Sequence, residues 1–134
     1  MAIRVVRLGT AKQPNEGVRL GTVRLLPRGV KKEDYRRRNY FDVWLPELAP
    51  SRGLVSYALG KPWTDARWAT YTRRYLSEMR RPEAGRLIAV LAALSRQANF
   101  SIGCYCESPW RCHRSLLGEL LRQHGAKIHL RSAS

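Results

Sequence analysis

Acidic residues are scarce in this sequence, which has 10 Asp and Glu against 25 Lys and Arg and a formal net charge of +15. Arginine accounts for 20 of the 25 basic residues, and its planar guanidinium group suits forked contacts to phosphate. A field of this sign favours nucleic acid, nucleotides or other polyanions as partners. A high-GC codon bias without functional meaning explains the arginine content equally well.

The sequence also lacks a long apolar run. Its longest uncharged apolar stretch, residues 87–94, is too short to cross a bilayer, so we expect no membrane partner. Arg4 and Arg7 interrupt the N-terminal apolar run, which argues against a secretory signal and predicts a cytoplasmic location. Asparagine and glutamine are sparse, and this composition favours a heat-adapted source.

Cysteine is limited to three residues, and all three lie between positions 104 and 112, with His113 directly after the last. Clustered cysteines in a chain without an export signal indicate cytosolic thiols or a metal site rather than a disulfide framework. Cytosolic proteins of hyperthermophiles do keep disulfides, so a disulfide within the cluster remains an alternative.

The order of apolar runs and turn residues predicts one α/β domain over residues 1–134, in three layers, with a mainly parallel sheet flanked by helices. Strands are predicted at residues 3–8, 18–26, 100–106 and 126–130, the last parallel to its predecessor. Helices are predicted after an N-cap at Ser51 and at residues 64–81, 83–98 and 113–124, with stops at Pro82 and Gly125.

The segment 104–115, here called the cysteine loop, joins a predicted strand to a predicted helix, which is where ligands bind in open α/β sheets. Cys104, Cys106, Cys112 and His113 form a Cys₃His set of the softness that zinc prefers. The spacing C-x-C-x₅-C-H differs from the usual paired C-x₂-C knuckle. A Cys104–Cys106 disulfide would need distortion because alternate strand residues lie about 6.6 Å apart, and closure onto Cys112 is easier.

A reactive thiolate is a second interpretation of the same loop. Cys112 precedes a helix and lies beside His113, and both the helix dipole and neighbouring cations lower the pKa of a thiol. Glu107 could orient His113 or act as a base, which makes Cys112, His113 and Glu107 the candidate catalytic residues. A third interpretation is that the cysteines are small core residues.

An anion site at the start of this helix is common to all three interpretations. Unsatisfied backbone N–H groups lie there, and Arg114 and Ser115 could add a guanidinium fork and a hydroxyl. We therefore expect ligand binding to depend on Arg114 more than on any cysteine.

Two other basic segments are candidate polyanion surfaces. The polar face of the helix at 64–81 predicts a nucleic-acid-facing surface of five arginines: Arg67, Arg73, Arg74, Arg80 and Arg81. The charged run at residues 31–38 is interpreted as a solvated surface. The alternative for this run is a phosphate-tracking patch interleaved with Tyr35 and Tyr40.

Several motifs carry a family resemblance. Residues 24–29 (R-L-L-P-R-G) and 44–51 (W-L-P-E-L-A-P-S), together with the aromatic pattern of residues 68–79, are similar to motifs of the YeaO-like family of uncharacterised proteins (domain of unknown function 488). Residues 104–107 and 112–115 resemble the C-x-E and C-H-R-S motifs of another branch of that family. The chain departs from the family at Val23, Leu26 and Pro46, where the family has Asp, Trp and Lys.

The resemblance implies the α/β fold and places Arg24 and Arg28 at the same pocket as the cysteine loop. Our leading hypothesis is a protein that binds a phosphate-bearing ligand, a nucleotide or nucleic acid, at the cysteine loop, with Arg24, Arg28, Arg114 and Ser115 as the anion-binding residues. Enzymatic use of this site is suspected, with no reaction specified. The alternative is a non-enzymatic nucleic-acid-binding module whose cysteine loop is a zinc or disulfide staple.

Overall fold

The computed structural model of the protein describes residues 1–106, 108 and 111–129. Within these residues, four parallel strands form one sheet: β1 (Ile3–Arg7), β2 (Val18–Gly21), β3 (Val43–Trp44) and β4 (Phe100–Cys104), in the spatial order β1-β4-β2-β3. Four α-helices accompany the sheet: α1 (Arg52–Gly60), α2 (Asp65–Met79), α3 (Pro82–Leu94) and α4 (His113–Gln123). The predicted α/β class with a mainly parallel sheet is confirmed.

Local signals in the sequence fix the ends of the helices. The Ser51 side chain accepts the backbone N–H of Leu54 at the start of α1, and the Thr64 side chain accepts that of Arg67 at the start of α2. Such caps satisfy backbone donors that the helix itself leaves unpaired. Pro82 opens α3, and Gly125 follows α4 with φ +88°, a left-handed conformation that glycine adopts without strain.

One face of the sheet packs against the helices. Strand residues Ile3, Leu20, Phe100 and Ile102 share a single apolar core with buried residues of all four helices. Within α2, Tyr71, Tyr75 and Met79 are buried, as its apolar stripe predicts. The Tyr75 hydroxyl donates to the Leu48 carbonyl at 2.9 Å, which ties α2 to the segment before α1.

The opposite face of the sheet is covered by connecting segments rather than by helices. Strand alternation and register place Arg19, Gly21, Ser101 and Gly103 on this face. Phe41 lies so close to Gly21 that an added Cβ would meet its ring at 2.4 Å. The third layer is therefore made of loops, and two strand glycines make room for it.

The buried pair of Glu16 and Arg19 is also on this loop-covered face. Arg19 donates from Nε and Nη2 to the two carboxylate oxygens of Glu16 at 2.7 and 3.0 Å. Its Nη1 donates to the carbonyls of Thr10 and Asn39. One guanidinium therefore holds the β1–β2 and β2–β3 connecting segments against the sheet. The Ser101 hydroxyl completes the network on Glu16.

Two strand predictions need correction. β2 ends at Gly21 instead of continuing to residue 26, and β3, which was not predicted, pairs with it through Leu20 and Val43. Residues 126–129 make only an isolated bridge, Ile3 to Ile128, and Leu130 lies outside the described residues. Because β1 and β2 occupy both sides of β4, the final segment meets the outer edge of β1. No helix in the described part of the chain is long and apolar enough to span a membrane.

Candidate functional site

The cysteine loop leaves the sheet at the carboxyl end of its central strand. Cys104 is the last residue of β4, which lies between β1 and β2. Cys112 is the N-cap residue of α4. The loop therefore begins and ends at the edge of the sheet where α/β proteins bind their ligands.

The three cysteine side chains converge on one point. Their sulfur atoms all lie within 4.8 Å of one another, and the Sγ atoms of Cys104 and Cys112 are 2.7 Å apart. Cys104 and Cys112 are buried, whereas Cys106 is exposed. The cluster is therefore closed toward the core and open to solvent at Cys106.

This geometry is compact enough for one metal ion. Three thiolates about 2.3 Å from a tetrahedral zinc ion lie about 3.8 Å from each other, and the three sulfur atoms lie within 4.8 Å of one another. The Cys104 and Cys112 sulfurs, 2.7 Å apart, would separate by about 1 Å to bind one ion. The described residues bring the three cysteines into such a group. His113, the fourth predicted ligand, lies beside this group, with its Nδ1 3.9 Å from the Cys112 sulfur.

His113 is buried beside the cluster and its orientation is set by a carbonyl. Its Nε2 lies 2.6 Å from the Thr22 carbonyl oxygen, and since a carbonyl can only accept, Nε2 carries the proton. Nδ1 then presents its lone pair toward Cys112, whose sulfur is 3.9 Å away. Burial lowers the pKa of His113, so the neutral imidazole is the favoured form.

The thiols differ in acidity because they are hydrogen-bonded to one another. Hydrogen bonds from Cys104 and then Cys112 lower the pKa of Cys106, and the positive charge of Arg114 adds to this effect. The pKa of Cys112 is raised, first by its hydrogen bonds with Cys104 and Cys106 and then by burial. The exposed cysteine is therefore the favoured thiolate, with the buried thiols as its donors.

Arg114 and Ser115 belong to the framework of this site. The Arg114 side chain is 2% exposed, and its Nη1 donates to the Val6 carbonyl of β1 at 3.0 Å. The Ser115 hydroxyl donates to the Cys112 carbonyl at 2.8 Å, within the first turn of α4. The positive charge of Arg114 lies close enough to contribute to lowering the pKa of Cys106.

Arg24 and Arg28 occupy different environments. Arg24 donates to the carbonyls of Pro46 and Pro50, each at 3.0 Å, and lines a cavity of about 200 Å³ that also contains Glu78 and Arg81. Arg28 is exposed on the connection from β2 to β3. The structure thus brings neither guanidinium into hydrogen-bond contact with the cysteine cluster among the described residues.

The five arginines of the predicted nucleic-acid-facing surface on α2 also differ in their environments. Arg67 donates to the carbonyls of Tyr57, Lys61 and Pro62, so it fastens the start of α2 to the end of α1. Its guanidinium also lies 4.5 Å from the centre of the Tyr57 ring. The other four are exposed: Arg73, Arg74, Arg80 and Arg81.

Helix α2 contributes residues to the site that the sequence did not reveal. The Tyr75 and His113 ring centroids are 5.7 Å apart. Burial raises the pKa of Tyr71, and the three cysteines raise it further, which places Tyr71 near the cluster. At the start of α2, Asp65 accepts from Arg111 at 2.6 Å. Periodicity marked Tyr71 and Tyr75 as buried, but nothing in it indicated which loop they would meet.

A small apolar cluster supports the site from the other side. Cys104 and Cys112 share it with Leu8, Val23 and Phe41, and three tyrosines pack around it: Tyr35, Tyr40 and Tyr105. Tyr105, between the first two cysteines in sequence, donates its hydroxyl to the Leu25 carbonyl at 2.9 Å. The third candidate catalytic residue, Glu107, lies outside the described residues.

Comparison with known proteins gives one match. No curated protein and no solved structure matches the chain. Residues 3–125 match the family model DUF488-N3a, described as the active DUF488-N3 subclade. This match agrees with the resemblance to the YeaO-like family that the sequence motifs carry. Because the matched segment includes nearly the whole chain, the protein belongs to the DUF488-N3a family.

Proposed function

We propose that the cysteine cluster is a zinc–thiolate centre that acts on a phosphate-bearing ligand, a nucleotide or a nucleic acid. The observation that carries this proposal is the convergence of Cys104, Cys106 and Cys112 at the carboxyl edge of the central strand. Sulfur ligands are soft, and intracellular clusters of this kind are typical of zinc.

The exposure of Cys106 favours a reactive centre over a purely structural one. Structural zinc sites are closed by four protein ligands, whereas catalytic sites combine three protein ligands with an open position. Three cysteines make up the cluster among the described residues, and its open side faces solvent. The description of the DUF488-N3 subclade as active also favours an enzyme.

The surroundings of the cluster support an anionic ligand. The net charge of +15 concentrates phosphate-bearing molecules near the surface. Arg114 adds a buried positive charge beside the thiols. A zinc-bound group and a substrate phosphate would therefore meet a positive field at the same edge of the sheet.

Metal analysis of purified protein tests this proposal. We expect about one zinc per chain, and loss of most of it in the variant Cys106→Ser, which changes an exposed residue and leaves the core intact. The matched control is Ser108→Ala, another exposed position in the same loop, which should retain zinc. Protein that is metal-free after growth with added zinc, with three titratable thiols, would contradict the proposal.

The 2.7 Å contact between the Cys104 and Cys112 sulfurs favours a second candidate function, thiol–disulfide exchange. In this reaction the Cys106 thiolate attacks a substrate disulfide, forms a mixed disulfide and releases one thiolate. One buried thiol then attacks Cys106, which closes an internal disulfide and releases the second substrate thiolate. The other buried thiol attacks its buried neighbour, so the disulfide moves to Cys104 and Cys112 and the Cys106 thiolate is released. Reduction of about one small disulfide per chain by thiol-reduced, metal-free protein, abolished in Cys106→Ser, would favour this candidate over the zinc centre.

A further inference from the structure

The connection between β2 and β3, residues 22–42, is a positively charged surface at the same edge of the sheet as the cysteines. We call it the basic connection. It has three acidic residues and seven basic ones: Arg24, Arg28, Lys31, Lys32, Arg36, Arg37 and Arg38. In a parallel sheet the connections that follow the strands start at one edge, so this segment starts beside the end of β4.

The basic connection is fastened to the sheet. The Asn39 carbonyl accepts the backbone N–H of Gly9 at 2.8 Å and Nη1 of Arg19 at 2.7 Å. Arg19 is itself buried against Glu16. The exposed charges are therefore carried on a backbone that is held in place, which reduces the entropy lost when a ligand binds.

Aromatic side chains of the same segment lie against the cysteine loop. Tyr35, Tyr40 and Phe41 pack on the cluster that contains Cys104 and Cys112. The Tyr40 and Tyr105 rings meet edge to face with centroids 6.3 Å apart. The half-buried Tyr35 and Tyr40 thus lie against the thiol cluster and belong to the same segment as the exposed arginines.

Most of the positive charge on this surface remains available to a ligand. Among the described residues, Arg28 and Arg38 form no ion pair with a carboxylate, and both are exposed. Arg37 pairs with Asp34, yet 74% of the Arg37 side chain remains exposed. Exposed ion pairs of this type are weak, so a phosphate group can displace them.

We propose that the basic connection binds single-stranded nucleic acid and directs it past Cys106. Arginines would hold the phosphates, and the partly exposed tyrosines would offer stacking surfaces to unpaired bases, a combination typical of single-strand binding sites. The inference rests on the proposed function and names its phosphate-bearing ligand. It assigns the charged run at residues 31–38 a binding role in place of the solvated surface expected from sequence.

The test compares two triple variants that remove equal charge from different faces. The first is Arg28→Gln, Arg37→Gln and Arg38→Gln on the basic connection. The matched control is Arg86→Gln, Arg96→Gln and Arg122→Gln, in or just after the helices α3 and α4, where all three residues are also exposed. Fluorescence anisotropy with a labelled 20-nucleotide single strand, over a range of salt concentrations, gives the affinity of each protein.

We expect the first variant to bind the single strand about tenfold or more weakly. The slope of log K against log salt concentration should become less steep by about two, since each single-strand phosphate contact contributes about 0.7 to it. The control should stay within about twofold of the unaltered protein, because its arginines make no direct phosphate contact. It loses the same net charge, so its change measures the effect of the long-range field alone. Equal losses in the two variants, a larger loss in the control, or no binding by the unaltered protein at low salt would each overturn the inference. Tighter binding of a duplex of the same length would overturn the single-strand assignment.

Zinc content and binding of a mononucleotide, measured on the same preparations, separate this inference from the proposed function. Zinc-loaded protein that binds the mononucleotide but no oligonucleotide contradicts the inference alone. Metal-free protein whose oligonucleotide affinity depends on the basic connection contradicts the zinc centre and supports the inference.

Discussion

The sulfur atoms of Cys104 and Cys112 lie 2.7 Å apart at the junction of the central strand with α4, and both residues are buried. Cys106, the third member of the cluster, remains exposed. The arrangement separates a buried pair of thiols from one accessible thiol within a sphere of a few ångströms.

Oxidation of metal-stripped protein should therefore join Cys104 to Cys112 and leave Cys106 reactive toward alkylating reagents. The reason is that the buried pair needs the smallest movement to close. Peptide mapping after treatment with a mild oxidant identifies the linked residues. The variant Cys106→Ser should oxidise in the same way, and a disulfide that contains Cys106 in the unaltered protein would contradict the prediction.

Arg114→Ala should lower the free energy of unfolding by about 1.5–3 kcal/mol, the range for a lost charged hydrogen bond. The cause is its buried donation to the Val6 carbonyl, which ties α4 to β1. Urea denaturation measures the change. Arg111→Ala is the control, because Arg111 pairs with the fully exposed side chain of Asp65, and loss of this pair should cost at most about 1 kcal/mol. A loss of ligand affinity at unchanged stability would instead support the sequence-based expectation that ligand binding depends on Arg114.

Glu16→Gln should be among the most destabilising single substitutions in the protein. It leaves the buried Arg19 guanidinium without its carboxylate partner, and breaking a buried pair costs about 3–5 kcal/mol. Glu119→Gln, which removes a surface pair with Arg122, is the control and should change stability little. Similar unfolding curves for the two variants would show that the buried pair is not important for stability.

The stability of the protein should also depend on pH, because Glu16 is ionised in the folded state. Burial opposes ionisation, but hydrogen bonds from Arg19 and Ser101 lower the pKa of Glu16 from 4.5 to about 2. A lowered pKa in the folded state means that this contribution is complete above about pH 4.5 and is lost as pH falls toward about 2. The urea concentration at the unfolding midpoint, measured between these pH values, should decrease less steeply with falling pH in Glu16→Gln than in the unaltered protein.

Gly103→Ala should disturb the edge of the sheet where the site lies. An added Cβ would lie 2.7 Å from Leu8 Cδ2 and 2.9 Å from the Val6 carbonyl oxygen, and overpacking of this kind costs about 1–3 kcal/mol. Gly118→Ala in α4 is the matched control, because its Cβ would meet Val5 at an ordinary 3.5 Å. That substitution should be neutral or stabilising by up to about 1 kcal/mol. A greater loss of stability in the control would contradict the packing argument.

The helices could be predicted because their signals are local. Ser51 and Thr64 cap α1 and α2 by bonding to residues three positions away, and Pro82 opens α3. The cysteine cluster was predictable for a similar reason: its members lie within nine positions of one another, so a short loop can bring them together. The charge of the surface follows from composition alone.

Only the tertiary structure determined which residues far apart in the sequence contact each other. β3 has two residues and no strand pattern in the sequence, and it forms because its backbone pairs with Leu20 and Gly21 at the edge of β2. Whether Arg114 is an open ligand fork or a buried brace depends on β1, more than a hundred residues earlier. The ring contact between Tyr75 and His113 and the hydrogen bond from Arg19 to the Asn39 carbonyl also join residues that are not neighbours in the sequence. Caps and turns are encoded within one turn of chain, whereas these contacts arise from the packing of the whole fold, which no local pattern specifies.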